Sequence, residues 1–198
     1  MKKIVLSGIN LHAGGTLTIY REMLRELIRL HINDKYEVVC FVYKKELFEE
    51  FKKDVTIIEI PQSRKSYLIR LYYENIYFNK YSHNNDIYIW ISVQDITPRV
   101  KCKKLFTYCH NPMMFYKIKF NELKYAKKLF VFSVLYKYVY KMNIHRNTYV
   151  IVQQNWIREI FKKIYRMDNI LVSKPKLEDR VINNIEKPNE TYHFIYAS

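Results

Sequence analysis

The chain has 198 residues, 49% of them hydrophobic, and a formal net charge of +15 at pH 7. This length fits one domain, or one domain with part of another, and the apolar fraction is enough for a hydrophobic core. No stretch reaches the roughly 20 apolar residues of a membrane span, and Met1-Lys2-Lys3 leads directly into a short apolar run, unlike a signal peptide.

Along the chain, apolar runs typical of strands alternate with segments whose apolar residues have helical periodicity. Strands are predicted at residues 3–7, 36–43, 55–60, 86–91, 104–109, 148–152 and 170–173. Helices are predicted at residues 16–31, 44–52, 64–82, 121–141 and 155–165. Continuous apolar strands separated by helices indicate an α/β, Rossmann-like parallel sheet with helices on both faces.

Two of these helices have a predicted inner face. In the helix at 16–31, one side carries Leu17, Tyr20, Leu24, Leu27 and His31. In the helix at 64–82, Leu68, Leu71, Tyr72 and Asn75 lie along one side. An apolar stripe of this kind normally packs against the sheet.

All three glycines lie where the first strand ends, at Gly8, Gly14 and Gly15, and a helical pattern follows at once. A glycine turn before a helix N-terminus presents free N–H groups and partial positive charge, which favours a phosphate-bearing ligand. A tight connection without a ligand is the alternative. No Gly-Lys-Ser/Thr follows, and the spacing is not G-x-G-x-x-G. The second strand is followed by Lys44-Lys45 where a dinucleotide dehydrogenase carries an acid, so a P-loop and a dehydrogenase are both excluded.

Four polar segments follow strands of the predicted sheet: residues 8–15, 92–98, 110–112 and 153–155. With the first strand near the centre of a parallel sheet, these segments gather at its C-terminal edge, where open α/β sheets bind ligands. Further on, residues 176–191 are polar and read as a linker. Residues 192–198 begin another apolar run, so we expect a first domain at 1–175 and the start of a second α/β domain at 192–198.

Four segments together resemble one family: KKIVLSGINLHAGGTLTIYREMLREL, KLFTYCHNP, TYVIVQQNWIREIFKKIYRMDNILVSKP and HFIYAS. In order and spacing they are similar to the family 4 glycosyltransferases, which are retaining enzymes of the GT-B fold. The resemblance implies that this chain is the N-terminal, acceptor-binding half of that fold. The nucleotide-sugar donor would bind mainly to a C-terminal domain missing from this chain, so the chain alone would be inactive.

The resemblance also assigns roles to single residues. Gly14 and Gly15 would approach the donor diphosphate, and His110 would lie beside the transferred sugar as the catalytic residue. The acceptor would contact His12, Thr16, Asn111 and Asn155. No metal or other cofactor is implied, because the helix N-terminus at Gly14-Gly15 can stabilise the leaving phosphate without a metal. No dedicated protein base is implied either, because the leaving phosphate can take the acceptor proton. Plainer alternatives are a turn-capping role for His110 and an exposed loop position for His12.

The partners follow from charge and from the same resemblance. The segments at 64–82 and 121–141 interleave basic residues with tyrosines, which suits an anionic bilayer surface, although an ordinary solvated face has the same pattern. Cys40, Cys102 and Cys109 are odd in number and lack metal-ligand spacing, which favours a reducing cytoplasm. We therefore expect a cytoplasmic hexosyltransferase, peripheral on the inner face of the plasma membrane, with a saccharide or lipid-linked acceptor in bacterial surface polysaccharide synthesis.

Two other classes of function stay open at this stage. A basic nucleic-acid-binding α/β module would explain the net charge of +15 and the alternation of Tyr with Lys. No nucleic-acid motif is present, however, and we expect no specific nucleic acid as partner. A domain that binds a phosphate ligand without catalysis would explain the glycine turn equally well.

Overall fold

The computed structural model describes residues 1–111 and 136–174. Its strands are β1 (Lys3–Gly8), β2 (Glu37–Val42), β3 (Thr56–Glu59), β4 (Ile87–Ser92), β5 (Lys104–Cys109), β6 (Tyr149–Val152) and β7 (Ile170–Val172). Its helices are α1 (Gly14–Arg29), α2 (Tyr67–Tyr72), α3 (Phe78–His83), α4 (described over residues 136–141) and α5 (Asn155–Tyr165). The 3₁₀ turns lie at Ile32–Asp34, Lys45–Phe51, Pro61–Arg64 and Ile144–Arg146.

The seven strands form one sheet in the order β3-β2-β1-β4-β5-β6-β7, and every neighbouring pair is parallel. The strand order reverses between β1 and β4, which is the position where open α/β sheets bind ligands at their carboxyl ends. The predicted Rossmann-like α/β fold and the near-central place of the first strand are confirmed. Among the described residues, no helix is long and apolar enough to cross a bilayer.

Helices cover both faces of the sheet, as predicted. On one face, Ile4 and Leu6 of β1 pack with Tyr20 and Leu24 of α1. On the other face, Val5 packs in a cluster that includes Phe78 of α3. This alternation along β1 is the period of two that a strand buried on both sides requires. A third cluster joins β5, β6, α4 and α5.

The helix predicted at 64–82 is real, but its predicted inner face is wrong. Leu68 is 79% and Tyr72 50% exposed, whereas the buried positions on this helix are Arg70, Glu74, Phe78 and Ser82. A π-turn at Tyr73–Tyr77 joins α2 to α3. A π-turn holds more residues per turn than an α-helix, because its hydrogen bonds run from i to i+5. Positions four apart therefore line up, and the buried stripe carries two ionisable side chains, Arg70 and Glu74.

Helix α1 also ends earlier than its apolar pattern predicts. Arg29 is its last residue, and His31 lies exposed in the left-handed conformation with φ of 54°. Leu17, Tyr20 and Leu24 are buried as expected. Most of the predicted segment at 121–141, the linker at 176–191 and the run at 192–198 lie outside the described residues.

The glycine at the end of β1 is required by packing against α1. A Cβ built on Gly8 would lie 2.6 Å from the Tyr20 ring, whereas one built on Gly15 meets nothing within 4 Å. We expect Gly8→Ala to lower the free energy of unfolding by about 1–3 kcal/mol through overpacking. Gly15→Ala, the matched control in the first turn of α1, should be neutral or up to about 1 kcal/mol more stable. Urea unfolding of both variants measures this, and equal stabilities would contradict the packing argument.

Candidate functional site

A pocket of about 240 Å³ opens at the C-terminal edge of the sheet, at the β1–β4 switch point. Three of the four predicted polar segments contribute to it. Its lining residues are Asn10, Leu11, His12 and Ala13 from the β1–α1 connection, Thr16 from the first turn of α1, Tyr67 and Arg70 from α2, Gln94 and Asp95 after β4, His110 and Asn111 after β5, and Tyr136.

The Asp95 carboxylate organises the floor of this pocket. Its Oδ1 accepts hydrogen bonds from the backbone N–H of His110 (2.8 Å), the backbone N–H of Asn111 (3.2 Å) and the Tyr140 hydroxyl (2.7 Å). Asp95 is buried and adopts the left-handed backbone conformation, with φ of 67°. A non-glycine residue rarely adopts this conformation, and where one does the strain is often tied to function.

His110 is held beside this carboxylate. Its Nδ1 lies 3.2 Å from Asp95 Oδ1 without forming a hydrogen bond, and among the described residues this buried nitrogen has no hydrogen-bond partner. The ring also stacks near that of Tyr108, at 26° between the planes and 6.3 Å between the centroids. The main chain of His110, and not its side chain, therefore makes the capping contact with Asp95.

The second wall is a buried network around Gln94. Its Oε1 accepts the backbone N–H of Asn10 at 3.0 Å, and its carbonyl accepts Arg70 Nη2 at 2.6 Å. Its Nε2 donates to Glu74 Oε1. Through its side chain and its carbonyl, Gln94 thus links the loop after β4 to the β1–α1 connection and to the buried side of the α2–α3 helix.

Burial sets the protonation of the acid in this network. Burial raises the pKa of Glu74 to about 8, although the nearby charge of Arg70 and the hydrogen bond from Gln94 act in the opposite direction. Its second oxygen, Oε2, has no hydrogen-bond partner within residues 1–111 and 136–174. Glu74 is therefore mainly protonated at neutral pH.

Two buried tyrosines stay protonated near this site: Tyr136 lines the pocket, and the Tyr140 hydroxyl donates to the Asp95 carboxylate. Burial raises the pKa of Tyr136 to about 12, a nearby Asp95 charge adds to this, and the charge and hydrogen bond of Arg70 oppose it. Burial also raises the pKa of Tyr140 well above its ordinary value, again with the help of Asp95. Both hydroxyls can therefore donate hydrogen bonds throughout the neutral range.

The structure brings together four of the seven residues singled out in the sequence. His12, Thr16, His110 and Asn111 line the pocket. Gly14 and Gly15 begin α1 beside it without lining it, and Gly14 has a positive φ of 75°. Asn155 is exposed at the first turn of α5, after β6, and is not among the lining residues.

Sequence reasoning missed Arg70, Glu74, Gln94, Asp95 and Tyr136. Gln94 and Asp95 do fall in the segment 92–98, which was predicted to lie at this edge. Arg70, Glu74, Phe78 and Ser82 are spaced four residues apart, and this spacing is visible in the sequence. It indicates a shared buried face only when the π-turn is known. Among the residues that the structure describes, no group of three or more His, Cys, Asp or Glu side chains forms a metal site.

Asp95 is expected to position His110 and the chain around it. Asp95→Ala removes the acceptor of three hydrogen bonds and places alanine in a left-handed conformation, so we expect a loss of about 2–4 kcal/mol in unfolding free energy. Asp95→Asn keeps an oxygen acceptor and tolerates positive φ, and should lose about half as much. Urea unfolding with backbone amide NMR of His110 and Asn111 measures both, and equal losses would contradict this role.

Glu74 makes stability depend on pH with a defined sign. Its folded pKa of about 8 exceeds the ordinary value of 4.5, so the folded state binds the extra proton between these values. Stability should therefore fall as pH rises from about 4.5 to 8, by up to about 1.4 kcal/mol per pH unit. Glu74→Gln should flatten this slope and exceed the unaltered protein in stability at pH 8. Unfolding curves of both proteins at pH 5, 6.5 and 8 measure the difference, and identical slopes would contradict it.

Comparison with known proteins completes the description. No protein-family model matches the chain, and no curated protein matches it. Among solved structures, the chain is similar to the crystal structure of a glycosyltransferase from Rickettsia africae ESF-5, with a TM-score of 0.53 and 15% sequence identity. The match covers 87% of this chain and 42% of that one, so this chain spans less than half of its length. At this identity the likeness shows a shared fold.

Proposed function

We propose that this chain is the N-terminal, acceptor-side domain of a retaining glycosyltransferase of the family 4 type. It would help to transfer a hexosyl group from a nucleotide-sugar to a saccharide or lipid-linked acceptor. The observation that carries the proposal is the pocket at the β1–β4 switch point, where His12, Thr16, His110 and Asn111 meet on a Rossmann-like sheet. A glycosyltransferase of known structure has the same fold.

The start of α1 suits the leaving group of such a reaction. Glycosyl transfer places negative charge on the departing diphosphate, and a helix N-terminus stabilises that charge through its free N–H groups. No side chain caps α1, and its first turn holds no acidic residue. Side-chain positions at Gly14 and Gly15 meet nothing within 4 Å. A phosphate can therefore approach this backbone closely.

The transfer reaction needs no general base from this domain. In a retaining reaction of this type the leaving phosphate can accept the proton of the acceptor hydroxyl. His110 would then stabilise charge or hold the sugar at the reacting carbon, with its position fixed by Asp95. The donor nucleotide would bind mainly to a second domain, so residues 1–198 alone should bind nucleotide-sugars weakly.

An exposed apolar stripe beside the pocket supports a membrane-associated acceptor. Tyr67, Leu68, Tyr72 and Ile76 are all at least half exposed on the α2 side of the site, and Tyr67 also lines the pocket. With the net charge of +15, such a stripe suits the anionic inner surface of a plasma membrane. No feature of residues 1–111 and 136–174 specifically favours the nucleic-acid-binding alternative.

Two variants of the full-length protein test this function. Gly15→Val places a branched side chain in open space where the diphosphate would approach, so turnover should fall steeply while the fold survives. His110→Ala should lose about 2–4 kcal/mol of transition-state stabilisation, the scale of one preorganised polar contact. The assay is product formation from a panel of nucleotide-sugars with saccharide and lipid acceptors, measured beside the melting temperature.

The matched control is Gly15→Ala, which adds one methyl group at the same place and should retain most of the turnover. A His110→Ala protein with unaltered kcat and a lowered melting temperature would remove His110 from the site. Absence of transfer with every donor would contradict the proposed function as a whole.

A further inference from the structure

The pocket wall contains a buried arginine that the proposed function leaves without a task. Arg70 lines the pocket and is 4% exposed. Among the described residues, it is the only buried lysine or arginine. A cation held away from water costs several kcal/mol unless it is paired with an anion and fully hydrogen-bonded.

Protein groups satisfy the Arg70 guanidinium only in part. Its Nη2 donates to the carbonyl of Gln94, and its buried Nε has no hydrogen-bond partner in the part of the chain that the structure describes. It also forms a hydrogen bond with Tyr136. It makes no ion pair with any carboxylate of the described residues.

The described acids of this region form no ion pair with the guanidinium. Glu74 is mainly protonated at neutral pH, because burial raises its pKa to about 8. The Asp95 carboxylate lines the same pocket, and its Oδ1 accepts hydrogen bonds from two backbone N–H groups and the Tyr140 hydroxyl instead of from Arg70. The buried Nε–H of Arg70 is therefore available to a group that enters the pocket.

We propose that Arg70 binds an anionic group, a phosphate or a carboxylate, on the acceptor substrate. That the ligand is the acceptor rests on the proposed function. That the ligand is an anion rests on the pocket alone. Guanidinium groups suit such ligands because they donate in a planar, paired geometry. The expected acceptor is therefore a sugar acid, a sugar phosphate or a phospholipid headgroup, and not a neutral saccharide.

The position of Arg70 favours the acceptor over the donor diphosphate as the source of this anion. Arg70 lies on the α2–α3 helix, which packs on the sheet face opposite to α1. The start of α1 also reaches the pocket through Ala13 and Thr16, but Gly14 and Gly15 are not among the lining residues. Arg70 lies instead on the side of the pocket that carries the exposed Tyr67.

Binding of defined anions to residues 1–198 tests the inference without any nucleotide-sugar. Glucuronate and glucose 6-phosphate are titrated by calorimetry at constant ionic strength, with glucose as the uncharged reference. Both anions should bind at least tenfold more tightly than glucose. Arg70→Gln should remove this preference, and Arg70→Lys should retain only part of it because the paired donor geometry is lost. Arg29→Gln is the matched control, since it removes the same charge from an exposed side chain at the far end of α1.

A vesicle experiment distinguishes the two sources of the anion. Vesicles of phosphatidic acid in phosphatidylcholine are co-sedimented with the unaltered protein, Arg70→Gln and Arg29→Gln. A loss specific to Arg70→Gln identifies a lipid headgroup as the ligand. Equal vesicle binding by all three, with the sugar-anion preference lost only in Arg70→Gln, identifies a soluble or carbohydrate-borne acid.

A measurement on the unaltered protein keeps the test valid if Arg70→Gln does not fold. The side-chain Nε–H signals of arginine are followed by NMR during titration with glucuronate, glucose 6-phosphate and glucose, and Arg70 is identified from the Arg70→Lys spectrum. We expect the Arg70 signal to shift with the two anions and not with glucose. An unmoved Arg70 signal, or anion binding by folded Arg70→Gln equal to that of the unaltered protein, overturns the inference. Transfer to a neutral acceptor by the full-length protein would overturn it while leaving the proposed function intact.

Discussion

One oxygen atom, Asp95 Oδ1, holds together the segments from which the candidate site is built. It accepts hydrogen bonds from two consecutive backbone N–H groups after β5 and from the Tyr140 hydroxyl of α4. The left-handed backbone at Asp95 costs about 1–2 kcal/mol, whereas hydrogen bonds to a charged acceptor each contribute about 1.5–3 kcal/mol. The strain is therefore more than offset, and the direction in which the chain leaves β5 is set by this contact.

Gln94, the residue before Asp95, holds the other wall of the pocket in place. Gln94 connects Asn10 at the end of β1 with Arg70 and Glu74 on the α2–α3 helix. Two adjacent residues after β4 thus fix both walls of the pocket. A polar network of this kind is stabilising only while every member keeps its partner. Among the described residues, Arg70 Nε and Glu74 Oε2 have no hydrogen-bond partner and are therefore its weakest points. Arg70 also lines the pocket.

The sheet could be predicted from the sequence because buried parallel strands are continuous apolar runs, and each of the seven lies within two residues of its predicted bounds. His12, Thr16, His110 and Asn111 could be predicted to meet because all follow strands at one edge. Arg70 and Glu74 could not, since hydrophobic periodicity assigns charged residues to solvent and the π-turn that turns them inward leaves no apolar signal. The burial of Asp95 depends on contacts with β5 and α4, which sequence periodicity does not encode.

The arrangement of positive groups on two faces of the sheet has a consequence for how two anionic substrates could meet here. Two unit charges held about 7 Å apart repel by roughly 2 kcal/mol at the effective dielectric constant near a protein surface. A site that brings an anionic acceptor to a diphosphate must offset this repulsion at both charges. The N-terminus of α1 supplies partial positive charge from one face, and Arg70 supplies a full charge from the other. In the proposed arrangement, a protonated Glu74 leaves the charge of Arg70 to the acceptor, because an ionised carboxylate four residues away would attract the same guanidinium.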